Sequence, residues 1–299
     1  MWRDAKYLLA FVPTAFAYLS VLWAGSWSFA GVGFAFVVIP FLELFSKNSE
    51  ENFTEEQEVS KLANRFFDWL LYLNIPLLYG LLWLYFGRIA DGGLATYEIV
   101  GMTLSTGVIA GSLGINVAHE LGHRQTKHEQ FMSKVLLLSC LYMHFFIEHN
   151  RGHHLKVATL EDPATSRYGE VVYAFWVRSV VNSFLDAWRL ENNRLKQQGK
   201  GWLSIHNDMI WYQVIQLTYL VAAGLIFGWA IIPFVVAVAI IGFLQLETVN
   251  YIEHYGLLRN KMENGRYERV QPQHSWNSNH DLARIFLYEL TRHSDPHFI

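Results

Sequence analysis

Long apolar runs separated by short charged stretches leave this chain few folds to choose from. Seven runs stand out among its 299 residues: 7–23, 27–45, 66–86, 96–118, 131–147, 209–229 and 231–250. Most approach the roughly 20 residues with which a helix crosses a hydrocarbon layer about 30 Å thick. Only 16% of residues are charged, against about 25% in soluble domains. The pattern predicts an all-α, polytopic membrane protein rather than a soluble domain with a large core.

Histidine positions decide how many runs span. All 13 histidines lie at or after His119, and the run 131–147 falls between His119/His123 and His149/His153. Were it a span, the two clusters would stand on opposite faces of the membrane. It is therefore read as buried or re-entrant, which leaves six spans. With the N-terminus inside, 22 of the 23 Lys and Arg then fall on one side and only Arg88 on the other, the asymmetry expected of cytoplasmic loops. Every histidine shares the basic side. The prediction is one domain over 1–299: six helices and a cytoplasmic helical cap (121–208 and 254–299) holding a polyhistidine site, with both termini cytoplasmic. Treating the first run as a cleaved signal would leave five spans and spoil the asymmetry, so it is counted as a span.

Several classes are excluded or left empty. A net charge of −3 gives no sign of nucleic-acid binding. The sole cysteine, Cys140, sits in an apolar run and reads as a small buried hydrophobe. Without a C-x-x-C pair, an iron–sulfur electron carrier is not built into the chain. The acidic run Ser49–Glu58 reads as a solvated loop. Residues 172–198 read as an amphipathic helix at the membrane surface, its apolar side formed by Phe175, Trp176, Val180, Phe184 and Trp188. Asp68 and Asn74 in the third span are candidates for a polar interior.

The histidine spacing carries chemistry. Imidazole suits iron, zinc and copper. His119 and His123 are four apart, about 40° and one helical turn from each other, so both can reach one ion. His119-Glu-Leu-Gly-His123 is also the zinc-peptidase pattern, with Glu120 as general base. His149 and His153 repeat the spacing, while His154 is turned about 100° from His153 on an α-helix and is free to face a second ion. A peptidase needs one ion and three or so ligands; the surplus of imidazoles favours two metals. His293 and His297 form a third pair, with His280 less easily placed in the same shell. His128, His144, His206 and His274 read as surface or hydrogen-bonded histidines. Two carboxylates are candidate catalytic residues. Glu247, deep in the last span, costs about 2–3 kcal/mol if uncompensated; it either contacts a metal, orients an imidazole or hydrogen-bonds between helices. Glu253 stands beside His254.

The blocks His119-Glu-Leu-Gly-His-Arg124, Glu148-His-Asn-Arg-Gly-His-His154, Glu161-Asp-Pro-Ala-Thr165, Asn250-Tyr-Ile-Glu-His-Tyr-Gly256, His274-Ser-Trp-Asn-Ser-Asn279 and Arg292-His-Ser-Asp295 resemble the membrane-bound alkane 1-monooxygenases, among the histidine-box di-iron enzymes. The Asn-Tyr-x-Glu-His-Tyr-Gly block separates the chain from fatty-acid desaturases. The resemblance implies an inner-membrane enzyme with two non-haem irons (Fe2+/Fe3+) held by His119, His123, His149, His153, His154, His254, His293 and His297. It implies terminal hydroxylation of medium- to long-chain n-alkanes with O2. Electrons would come from rubredoxin, itself reduced by an NAD(P)H-dependent reductase. One position departs from the family's last box: Pro296 stands where a histidine is expected, which asks His280 or a carboxylate to fill in. Relatives also continue with a cytoplasmic tail where this chain stops at Ile299.

Chemistry agrees with the likeness, since an inert terminal C–H bond needs a redox metal and dioxygen. Alkane would enter sideways from lipid, and at about 0.8 kcal/mol per buried CH2 channel length would set chain-length preference. Arg124, Lys127, Lys134, Arg151 and Lys156 form a candidate dock for an acidic carrier. Rival readings are a xylene-type methyl hydroxylase, a membrane zinc peptidase and a metal transporter.

Overall fold

A computed structural model describes residues 4–46, 65–276 and 285–286. The expectations on Ser49–Glu58, His280, His293, Pro296 and His297 fall outside these. Among the described residues the regular secondary structure is helical, with one isolated bridge between Lys261 and Tyr267. Six helices are long and apolar enough to cross a membrane: α1 Lys6–Trp23, α2 Gly25–Glu43, α3 Arg65–Asp91, α4 Thr96–His123, α8 Asp208–Phe227 and α9 Trp229–His254. They match the six predicted spans. Between α4 and α8 lie α5 (Lys127–Leu138), α6 (145–156) and α7 (Val172–Gln197).

The fifth apolar run does not span. Helix α5 ends at Leu138 and the chain turns through Leu141, whose φ of 50° breaks the helix. Its apolar residues are spent on the core instead: Leu136, Leu137, Cys140, Tyr142, Met143 and Ile147 are all buried. Both histidine clusters therefore stay at one end of the bundle, where α4 and α9 finish and the 124–207 connection begins.

Helices α4 and α9 position that end, and they can do so because their contact is made of glycine. A Cβ on Gly107 would lie 2.6 Å from Ile241; one on Gly111 would lie 2.8 Å from the Gly242 carbonyl; one on Gly242 would meet the Cys140 sulfur at 2.6 Å. Small residues let helix backbones approach where no hydrophobic drive operates. The Cys140 thiol donates to the Ala110 carbonyl at 3.3 Å, and burial pushes it up to about 12, so it is an inert spacer as expected. Gly111→Ala should lower the thermal midpoint and cost about 1–3 kcal/mol by overpacking against main chain. Circular dichroism in detergent checks this; an unchanged midpoint would mean the two helices are free to part.

Helix α7 corrects one expectation. The side carrying Phe175, Val180, Phe184 and Trp188 is turned into the protein: Phe175, Ser179, Ser183, Ala187, Glu191 and Leu195, every fourth residue, are buried, and Val180, Phe184 and Trp188 pack on the core. The side left open carries Tyr173, Val177, Val181 and Leu185, all large and exposed. The sequence shows apolar residues on both sides, and periodicity alone does not say which the protein covers.

Candidate metal centre

Four imidazoles converge where α4 meets α6. The ligand atoms of His119, His123, His149 and His154 all lie within 4.8 Å of one another. His123 Nε2 is 3.2 Å from His119 Nε2, 3.2 Å from His149 Nε2 and 3.3 Å from His154 Nε2, and His149 and His154 approach to 3.1 Å. An ion bonded to imidazole nitrogens at about 2.1 Å, with angles between square and tetrahedral, holds them about 3.0–3.4 Å apart. Four of the six nitrogen pairs thus stand at the spacing of one coordination shell and the other two lie within 4.8 Å, so the residues fit a metal ion.

Two backbone irregularities build this cluster. Residues Ala110–Ile115 of α4 form a π-turn just before the helix that carries His119 and His123, and His149–His153 form another. On an α-helix, residues five apart differ by about 140°. A widened i→i+5 turn, a device frequent at functional sites, brings His149 and His154 to the same side. The expected pairing of His149 with His153 is therefore exchanged: His154 joins the tetrad, while His153 stacks on His149 with its ring 5.3 Å away and stays outside the four. Gly152 permits the turn, since a Cβ there would lie 3.0 Å from Leu190, 3.1 Å from Glu148 and 3.2 Å from Asp186.

His153 belongs to a second grouping. Its ring lies 5.2 Å from that of His254, at the end of α9. Its Nδ1 is 3.0 Å from the Asp162 carboxylate, the arrangement by which a carboxylate fixes a ligating imidazole's tautomer. Asp162 is itself fastened: Oδ2 also accepts from Thr165 Oγ1 at 2.6 Å, and Oδ1 from the Ala164 N–H at 3.2 Å. Burial alone would raise its pKa, but His153 and these hydrogen bonds outweigh that and hold it below the carboxylate range. Sequence reasoning gave Asp162 no role; its signal was the turn-forming Asp-Pro-Ala-Thr that follows the histidines.

The two carboxylates part ways. Glu247 accepts from Tyr142 at 2.8 Å and from Ser179 at 2.6 Å, so its buried charge is satisfied between helices rather than by an imidazole. Glu253 lines a small cavity of about 40 Å3 with Asn116, His119, Phe145, His149, Leu246, Val249 and Asn250. Phe145 stacks on His149 at 4.7 Å. The cavity is apolar on one wall and imidazole on the other. Glu120 pairs with Arg124 at 3.0 Å, so its carboxylate is engaged elsewhere than a peptidase base would be.

Burial sets the charge state. It holds His149 well below the usual imidazole range and His154 at about 3, with neighbouring imidazoles pushing the same way. Both are neutral at pH 7, as metal ligands must be. The unfolded chain binds these protons near pH 6.5 and the fold refuses them, so stability falls as pH drops from about 6.5 toward 3. Metal-free protein should denature at lower temperature at pH 5.5 than at pH 7.5; equal midpoints would contradict the buried, neutral cluster.

Three of the four isolated histidines are surface or hydrogen-bonded residues as expected; His144 instead is buried, with no hydrogen-bond partner for its Nε2 among the described residues. His128 and His206 are exposed, His144 is buried against Phe184, and His274 Nδ1 accepts from the Gln271 N–H. The basic residues expected to form a dock are partly engaged within the chain, and Lys127 stays exposed. Arg124 pairs with Glu120 and Asp68, Arg151 with Glu191, and Lys156 with Asp186, while Lys134 lies over Phe146 and Tyr212. Charges compensated within the chain offer little to a partner. Asn74 donates to carbonyls of its own helix at Leu70 and Leu71.

Comparison with known proteins places these features. A family profile described as fatty acid desaturase matches residues 95–298, so the Asn250–Gly256 block does not set the chain outside that family as expected. Alkane 1-monooxygenase 2 of Pseudomonas aeruginosa is 39% identical over 280 residues, 91% of this chain and 73% of the relative. An alkane 1-monooxygenase of Pseudomonas putida is 40% identical over 260 residues, 87% of this chain and 64% of the relative. The xylene/toluene monooxygenase hydroxylase component of Pseudomonas putida is 26% identical over 295 residues, 98% of this chain and 76% of the relative.

Proposed function

The chain belongs to the fatty acid desaturase family and, within it, to the alkane 1-monooxygenases, and we propose that it hydroxylates the terminal carbon of medium- to long-chain n-alkanes drawn from the bilayer. One oxygen atom of O2 goes to the 1-alcohol and the other leaves as water, with two electrons and two protons supplied from outside. The observation that carries this reading is the tetrad at coordination spacing beside an apolar cavity.

His119, His123, His149 and His154 would hold one iron. His153 and His254 would hold a second, with His293 and His297 as further ligands. The irons supply the reductive activation of dioxygen that side-chain acids and nucleophiles cannot. The protein's own groups do the rest. Asp162 keeps His153 in one tautomer. Phe145, Leu246 and Val249 offer a methyl group an apolar wall in the small cavity beside the tetrad. Glu253 and Asn250, on the polar rim, are placed to contact what binds there. Cytoplasmic orientation in the inner membrane rests on the one-sided Lys and Arg, and rubredoxin as donor rests on the family likeness and on the lack of a carrier in the chain.

The test is a reconstituted assay. Vesicles bearing the protein, with rubredoxin, its reductase and NAD(P)H, should convert octane or dodecane to the 1-alcohol without 2-alcohol. Oxidation of p-xylene in preference to octane would move the reading to the methyl-arene hydroxylases, which the relative at 26% identity represents. Zinc in the protein and no oxidation would overturn both.

A further inference from the structure

The segment from Val157 to Glu170 has no helix of its own, yet it carries the carboxylate that orients His153. One side chain outside it makes four hydrogen bonds to it. Arg178, on α7, reaches both oxygens of Glu170, with Nε to Oε1 and Nη2 to Oε2 at 2.7 Å each. The same guanidinium donates from Nη1 to the Pro163 carbonyl at 3.1 Å and from Nη2 to the Thr165 carbonyl at 3.0 Å. Pro163 and Thr165 belong to the tight turn that Asp162 opens, and Thr165 also gives its hydroxyl hydrogen to Asp162 and accepts from the Ala158 N–H at 2.9 Å.

The far side of the segment is fastened to the end of α9. Ser166 donates to the Tyr251 carbonyl at 2.7 Å, the Gly256 N–H donates to the Ser166 carbonyl at 3.2 Å, and the Tyr251 hydroxyl donates to the Glu170 carbonyl at 2.6 Å. The segment is thus a bracket between His153 and His254, and Arg178 is the clamp. A solvent-exposed ion pair contributes little, but this one is only 19% exposed on the arginine side and 12% on the glutamate side. Its planar fork serves a carboxylate and two carbonyls at once, which an ammonium cannot do.

We infer that Arg178 is a positioning residue for the second metal centre, holding the Asp162 turn so that His153 and His254 face a common ion. This rests on the reading of that pair as metal ligands. Arg178 touches neither the tetrad nor the cavity in any contact described above, so its loss should be felt at one centre only.

The experiment titrates metal-free full-length protein with cobalt(II), following visible d–d absorption and calorimetric stoichiometry. Wild type should take two ions. Arg178→Lys should fill the tetrad with unchanged affinity and bind the second ion about 10- to 100-fold more weakly, the usual cost of losing an outer support of a ligand. Arg178→Ala should behave the same and recover in added methylguanidinium; should it fail to fold, Arg178→Lys decides alone. A wild type with two ions and an Arg178→Lys protein indistinguishable from it would overturn the proposal and leave the two-centre reading standing. Equal weakening of both ions would also overturn it, marking a general structural role. A wild type that takes one ion would overturn the two-centre reading and the proposal with it.

Discussion

Replacing His123 with alanine should remove one metal ion per chain and bring alkane oxidation to background. His123 is the hub of the tetrad: its Nε2 lies 3.2–3.3 Å from those of His119, His149 and His154. Residues that merely orient a ligand cost about 10–100-fold when changed, so loss of the ligand that touches all the others should exceed that range. The fold should survive. His123 ends α4 and is half-buried, whereas the α4–α9 contact is made higher up by Gly107, Gly111 and Gly242. Elemental analysis and the octane assay check this together. A variant that keeps its full metal content and a tenth or more of its activity would show that the tetrad is not a metal site.

The second large effect is expected at Asp162. Both of its oxygens accept hydrogen bonds: Oδ2 from His153 Nδ1 and Thr165 Oγ1, Oδ1 from the Ala164 N–H. Asparagine has one accepting end. Whichever way its amide turns, an NH2 group faces an N–H or O–H donor, and an unmade bond at a buried site costs about 1–3 kcal/mol. His153 then loses both its anionic partner and its fixed tautomer. Asp162→Asn should weaken metal binding at the His153–His254 centre and lower kcat/KM by about 10–100-fold, with tetrad occupancy intact. Metal titration alongside steady-state kinetics resolves the two centres. An unchanged kcat/KM would mean that His153 needs no such partner.

Much of this was legible before the structure. Run lengths and the one-sided Lys and Arg mark the six spans, because a bilayer imposes one length and one charge rule on every helix. The pair His119/His123 follows from helical spacing alone. The partition of His149, His153 and His154 does not, because it depends on a π-turn whose extra residue leaves no mark in the spacing of the histidines. Asp162 was hidden for another reason: it acts from a loop nine residues past His153, and loop geometry is set by remote clamps such as Arg178. Composition counts the basic residues without showing that Glu191 and Asp186, far along the chain, pair with Arg151 and Lys156. Helix α7 misled, since its buried side is chosen by what α9 offers it, including Glu247 for Ser179.

If the tetrad and the His153–His254 group each hold an iron, the chain carries two. Metal content per chain, measured by mass spectrometry on protein purified from iron-replete cells, tests it most directly. Two irons per chain are expected, falling to one in His123→Ala. A single zinc per chain, or an iron content that His123→Ala leaves unchanged, would contradict it.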